Sequence, residues 1–299
     1  MKQIGIIGMG KWGKNLIKEF SNFAEIPICV TTGNQENIKW IQKYFPKTKS
    51  STKINDILND DNIDAIVIAT PITTHYALIK KALNSGKHVF VEKPMVQTIT
   101  QANDIINIAK RKKLCLFVGH VFLHNQIFKQ IKKINKSELI TELNFDWRKF
   151  GTFNENIFEN LLSHELSINL ELFGIPKSFE LISKSSCISN SDLIHVKLDY
   201  DKNRKSNIHI NRISNYKKKV ITIITKKNLF IWDDDKLFKL HKKSKSFKIY
   251  FQSSQTPLFL ECKNFVSDIS TKKPIINSAI LARDIIIIIS KINKKAIKI

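Results

Sequence analysis

Arginine is almost missing from this chain. Of 49 Lys and Arg residues, only those at 111, 148, 204, 212 and 283 are arginines. Proteins that read base edges lean on the forked guanidinium, and no nucleic-acid motif occurs. The net charge of +23 is therefore read as a solvated lysine surface, including the clusters at 110–113, 217–219 and 242–245, and no nucleic-acid partner is expected. The excess could still help capture a phosphate-bearing ligand. Cysteine is scarce and scattered: Cys29, Cys115, Cys187 and Cys262 never fall in a C-x-x-C spacing. That argues against a disulfide framework or a thiolate metal site and leaves small buried thiols. Long apolar runs are also absent. Nothing approaches the ~18 apolar residues of a membrane span, and the N-terminus opens on a strand-like pattern instead of a signal peptide. No membrane partner is expected, and a cytoplasmic location follows. No H-E-x-x-H or similar spacing occurs, so no catalytic metal is expected.

What remains is a globular composition, 42% hydrophobic and 25% charged over 299 residues, enough for two modest domains. The first ~120 residues alternate strand and helix patterns. Strands are expected at 4–7, 26–31, 65–69, 88–91 and 114–118, with helices at 14–20, 36–44, 56–58, 76–83 and 100–112. The fully apolar run at 65–69 reads as a strand buried on both faces. Such alternation predicts a doubly wound parallel sheet. Beyond residue 120 the pattern changes. Helices at 126–134 and 161–173 and a long strand at 138–147 accompany strand-like stretches at 179–185, 193–200, 207–213, 220–225, 229–232 and 247–251. Strands in series imply an α+β domain with a mostly antiparallel open sheet. From 257 onward helical patterning returns. The expected division is 1–120 for dinucleotide binding and 121–299 for substrate binding and oligomerisation, with the C-terminal helix returning to the first domain.

Gly8-Met9-Gly10-Lys11-Trp12-Gly13 is a G-x-G-x-x-G placed directly after the first strand and opening the first helix. The first glycine permits the tight turn and the second lets the backbone approach a pyrophosphate. The third allows close helix–sheet packing, with the helix N-terminus facing the anion. At the end of the second strand stand Val30, Thr31, Thr32, Gly33 and Asn34. No acid is there for the ribose of NAD and no arginine for the 2′-phosphate of NADP, so both dinucleotides stay open. Glu92-Lys93-Pro94 follows a strand, at the end where open α/β sheets bind ligands. A lysine emerging there can donate to a substrate hydroxyl. His164 lies in a helix-like stretch, and its side chain can accept a hydroxyl proton near neutral pH.

Together these stretches resemble the Gfo/Idh/MocA family of dehydrogenases, nearly end to end. The similar segments are Gly8 to Asn15 (GMGKWGKN), Ala69-Thr70-Pro71 with Thr74-His75, and Gly86 to Pro94 (GKHVFVEKP). They continue with Val118 to Asn125 (VGHVFLHN), His164 to Ile168 (HELSI) and the closing segment 257–283. The likeness is strongest to members acting on UDP-linked N-acetylhexosamine-type sugars in surface-polysaccharide biosynthesis. It implies a Rossmann domain followed by an open-sheet α/β domain, a nicotinamide cofactor (NAD or NADP), a nucleotide-linked sugar as substrate and a homodimer or homotetramer. It also implies residue roles. Lys93 would hold the reacting hydroxyl and His164 would be the acid/base. Gly8, Gly10, Lys11, Trp12, Gly13, Thr31, Thr32, Thr70, Pro71, His75, Glu92 and Lys93 would form the cofactor site. Lys93, His120, Asn125, Asn160 and His164 would face substrate.

One position departs from that pattern. The family carries an acid four residues before the histidine, one helical turn away, where this chain has Asn160. An amide can hydrogen-bond substrate but cannot act as a base or raise the histidine's proton affinity by charge. The alternative to a sugar oxidoreductase is therefore a dinucleotide-binding regulatory or sensor protein of the same fold without turnover.

Overall fold

A computed structural model describes residues 1–271 and 275–296; residues 272–274, within the closing segment 257–283, and 297–299 lie outside the described residues. Two compact units make up the chain. One joins Met1–Val121 to Leu258–Arg283, and the other joins Phe122–Pro257 to the described residues from Asp284 onward.

The first unit is built on six strands: β1 (Ile4–Ile7), β2 (Ile28–Val30), β3 (Lys49–Ser51), β4 (Ala65–Ile68), β5 (His88–Glu92) and β6 (Leu116–Gly119). They lie in the order β3-β2-β1-β4-β5-β6, and every pair is parallel. Helices α1 (Lys11–Phe20), α2 (Gln35–Tyr44), α3 (Asn55–Leu58), α4 (Ile72–Asn84) and α5 (Ile99–Lys112) connect them. The apolar strands β1, β4 and β6 are buried along their whole length, as expected for a sheet covered on both faces. The strand order reverses between β1 and β4, so a crevice opens at their carboxyl ends. β3, sequence Lys-Ser-Ser and partly exposed, was not expected. A polar three-residue edge strand has no hydrophobic period to reveal it.

The second unit contains α6 (Gln126–Ser137), β7 (Ile140–Phe150), α7 (Ser163–Phe173), β8 (Ser178–Ser185), β9 (Leu193–Asp199), β10 (Lys205–Asn211), β11 (Ile213–Thr225), β12 (Leu229–Asp233), β13 (Lys236–His241) and β14 (Ser246–Gln252). Its eight strands run β14-β13-β12-β11-β7-β10-β9-β8. All neighbours are antiparallel except β7 and β10, which are parallel. Alternate residues of β9 and β10 are buried, the period of a sheet with one covered face. β13 was not expected, and β11 begins seven residues before the expected strand. A buried ion pair, Arg212 to Asp192 at 3.3 Å, anchors the start of β11. Asp192 also accepts from the N–H groups of Cys187, Ile188 and Ser189 at 2.6, 2.6 and 2.9 Å.

The chain ends with α8 (Pro257–Asp268) and α9 (Asn277–Ala296). Phe265 of α8 fills the first unit's core, its ring 5.8, 5.5 and 5.6 Å from those of Phe20, Phe90 and Phe117.

Candidate functional site

In the first unit the glycine turn follows β1 directly. Gly8 has φ +102, and a Cβ there would lie 2.4 Å from the carbonyl oxygen of Ala69. At Gly13 a Cβ would lie 2.1 Å from the carbonyl oxygen of Gly8. Neither position admits a side chain, because the protein's own backbone occupies the space. Gly10 is different. It is the N-cap of α1 with φ −67, an ordinary backbone, and a Cβ there would meet nothing within 4 Å. The space is open toward the N–H groups of α1, a cradle that fits a pyrophosphate. Gly10→Val is expected to keep the fold and raise the Kd for nicotinamide dinucleotide at least about tenfold, read by fluorescence titration. Because a Cβ there meets no protein atom within 4 Å, unchanged affinity would refute the cradle.

Beside the cradle, the loops after β4 and β5 are tied together. His75, 1% exposed, faces the Thr70 carbonyl at 2.8 Å with Nε2 and the Pro94 carbonyl at 2.9 Å with Nδ1. Burial lowers its proton affinity, against the effect of those carbonyls. His75 thus sits beneath the loops as a staple. The Thr70 and Thr74 hydroxyls lie 2.7 Å apart, and Thr74 donates to the Pro71 carbonyl at 2.8 Å. Glu92 ends β5, with its Oε1 3.2 Å from where a Cβ on Gly119 would stand. Burial pushes the Glu92 carboxyl up to about 7, although the Trp12 indole hydrogen-bonds to it and the Lys93 charge favours ionisation. Glu261 of α8 is fully buried and is pushed up by burial and by repulsion from Glu92. Lys93 follows, half-buried, joined to Pro94 by a cis peptide. Lys11 and Thr32 are exposed, as is Trp12 at the start of α1.

At the end of β2, Thr31 is buried and its N–H donates to the Ser51 carbonyl at 2.9 Å. It lines a cavity of about 330 Å³ with Ser51, Thr52 and Lys53. The one carboxylate on this cavity, Asp56, accepts from the Ser51 hydroxyl at 2.5 Å. His120, just after β6, is 3% exposed.

In the second unit His164 is the second residue of α7, preceded by a π-helical turn, Phe158–Leu162. Such wide turns recur at functional sites. Asn160 lies inside that turn, so its offset from His164 is not that of a regular α-helical turn. The His164 ring packs against Phe122 and Trp147, with centroids 5.1 and 5.6 Å apart. Both aromatic residues, with Asn125, line a cavity of about 830 Å³ that also meets Lys217, Lys219 and Trp232. Asn125 is 5% exposed, and its side-chain oxygen caps α6 by accepting from the Ile127 N–H at 2.7 Å.

Sequence reasoning missed Lys219. It was read as part of a solvated cluster, yet its ammonium pairs with buried Glu165 at 2.9 Å. It lies 3.6 Å from the ring centroids of both Phe122 and Trp147. Burial lowers the proton affinity of Lys219, against the pull of Glu165, and raises that of Glu165, against the pull of Lys219. A signal was available: stepping back by twos along β11 from buried Ile223 and Ile221 reaches 219. Among the described residues no three His, Cys, Asp or Glu side chains gather as a metal site, and no helix is long and apolar enough to cross a membrane.

Residues 2–120 match the oxidoreductase family with an NAD-binding Rossmann fold. An uncharacterized oxidoreductase of Escherichia coli is 28% identical over 225 residues, 68% of this chain and 63% of that protein. The NADP-dependent scyllo-inositol 2-dehydrogenase of Bacillus subtilis is 26% identical over 224 residues, 67% of this chain and 60% of that protein. These matches span about three fifths of each relative's length. Among solved structures, a UDP-N-acetylglucosamine 3-dehydrogenase from Acidithiobacillus ferrooxidans superposes with a TM-score of 0.88. It covers 97% of this chain and 96% of its own at 16% identity, a likeness of fold.

Proposed function

We propose, from the premise that residues 2–120 are the NAD-binding Rossmann domain of the Gfo/Idh/MocA oxidoreductase family, that this protein moves a hydride between NAD or NADP and a ring carbon of a sugar. The observation that carries the reading is the glycine turn. Two of its glycines are demanded by the protein's own backbone, while Gly10, at the N-cap of α1, opens on space that no protein atom fills. The N–H groups at the start of α1 receive the pyrophosphate, and the Thr70–Pro71 loop and Glu92 border the nicotinamide end. A bound nicotinamide supplies the two-electron acceptor or donor. Lys93 donates to the reacting sugar oxygen and favours its alkoxide character. His164 takes the hydroxyl proton, or returns it in the reductive direction. Asn125 and Asn160 contact sugar hydroxyls, and His120 is a further residue assigned to substrate.

The finer reading is a nucleotide-linked sugar used in polysaccharide biosynthesis. The cavity of about 830 Å³ supports a sugar-sized ligand, because Trp147 and Trp232 offer flat rings for sugar or base, while Lys217 stands in the lining with Asp233, Asp234 and Asp235. The same reading expects a homo-oligomer. Apolar side chains exposed on the outer strands of the second sheet, Ile182, Phe247, Ile249 and Tyr250, support it. Asn160 favours the second reading, a dinucleotide-responsive regulator without turnover.

The deciding experiment is identification of the nucleotide that co-purifies, followed by a scan of UDP-sugars with NAD and NADP for change in reduced-nicotinamide absorbance. Turnover with a UDP-N-acetylhexosamine is expected. Bound dinucleotide with no change across nucleotide-linked and free sugars would replace the enzyme reading with the regulatory one.

A further inference from the structure

We propose that Lys219 is a positioning residue for His164: its ammonium, paired with Glu165 and clamped between Phe122 and Trp147, fixes the aromatic wall against which the imidazole rests. The inference rests on the reading of His164 as the proton-handling group, and it adds a residue that no sequence motif assigns.

The register explains how a lysine comes to stand there. Lys219 lies directly opposite Trp147 in the β11–β7 ladder, as Ile221 lies opposite Phe145. Ile221 and Phe145 are 3% and 1% exposed, so β11 sends one apolar row inward and Lys219 is the next member of that row. Its neighbours take the opposite face, where Lys218 pairs with Asp146 at 3.1 Å. An apolar side chain at 219 would continue the core at no cost, since well-packed apolar residues commonly match or exceed a buried ion pair in stability. A cation is there instead, with a carboxylate from α7 to neutralise it.

The clamp's geometry says what the cation does. An ammonium 3.6 Å from two ring centroids attracts the faces of both rings and so holds them at a set spacing. Those same two rings are the ones that meet His164, at 5.1 and 5.6 Å. Glu165 is the next residue after His164, so the ion pair also pins the backbone that carries the imidazole to β11. A side chain that must hand a proton to and from a sugar oxygen needs a fixed ring plane, and small misplacements are costly in rate. Here the strut is built from the sheet.

The test compares Lys219→Met, Lys219→Arg and Glu165→Gln with wild type, using kcat, the dinucleotide Kd and the NMR resonances of the His164 ring, assigned with His164→Gln. Lys219→Met is expected to lower kcat about tenfold or more with Kd unchanged, and to shift the His164 ring resonances. Lys219→Arg should restore most of both, because a guanidinium also stacks between rings. If Lys219→Met fails to fold, Glu165→Gln decides, since it leaves the lysine and both rings in place; shifted His164 resonances support the clamp. Unchanged His164 resonances and unchanged kcat, or a Lys219→Arg protein as impaired as Lys219→Met, would overturn it. The NMR arm needs no turnover. Should His164→Gln itself stay fully active, the proton-transfer reading fails while the clamp is still judged on the resonances.

Discussion

His164→Gln is expected to lower kcat roughly 100- to 10,000-fold, the range that a positioned acid/base contributes, while the dinucleotide Kd stays at its wild-type value. The imidazole belongs to α7 of the second unit and the glycine turn to the first; on the proposed roles the substitution removes the proton-transfer group and leaves every residue of the cradle unchanged. Glutamine preserves size and hydrogen bonding and abolishes titration near neutrality. If the group acts only in the transition state, kcat and kcat/KM should fall together. On the proposed roles Lys93→Met should give a loss of the same order, because it would remove the charge assigned to favouring alkoxide character on the reacting oxygen. Steady-state rates read from nicotinamide absorbance check both. Retained turnover in either protein would remove that residue from the mechanism.

Glu261→Gln is expected to stabilise the protein, and by more as pH rises. Glu261 is buried in the first unit, as is a carboxylate oxygen of half-buried Glu92, and the two repel each other once charged. Burial raises both proton affinities above the ordinary carboxylate value of 4.5. Folded protein therefore holds protons that the unfolded chain has released. Stability from this source is full below the ordinary carboxylate range and is lost as pH rises through the folded value. For an acid moved from 4.5 to about 7, as Glu92 is, the loss by pH 8 is about 3 kcal/mol. Denaturant unfolding at pH 5, 6.5 and 8 should show a gap between Glu261→Gln and wild type that widens as pH rises. A gap constant with pH would mean that the two carboxyls do not charge against each other.

How much of this could be read from the sequence depended on whether a hydrophobic period survived locally. β1, β4 and β6 are apolar runs buried along their length, and α1 and α5 turn apolar stripes inward, so the first sheet was legible almost residue by residue. β3 was not, being three polar residues at an edge. β13 was not either, since only Leu237 in it is fully buried. The glycine turn was readable because its spacing encodes a backbone geometry, while the burial of Glu261 gave no sign: an acid on a helix reads as exposed until its neighbours are known. Lys219 falls between. The lysine run hid it as a surface cluster, while the alternation of Ile221 and Ile223 pointed it inward.

Phe265 carries one further consequence, for how the protein is made. The four-phenylalanine core it completes with Phe20, Phe90 and Phe117 draws three members from the first 121 residues and the fourth from beyond Phe122–Pro257, the larger segment of the second unit. At translation speeds of ~5–20 residues per second, the gap between synthesis of the last strand of the first sheet and arrival of its final phenylalanine is on the order of 10 s. Throughout that interval the nascent sheet has an open seat in its core, lined by aromatic rings. This is a surface that a chaperone would shield and that a chain stalled on the ribosome would leave exposed.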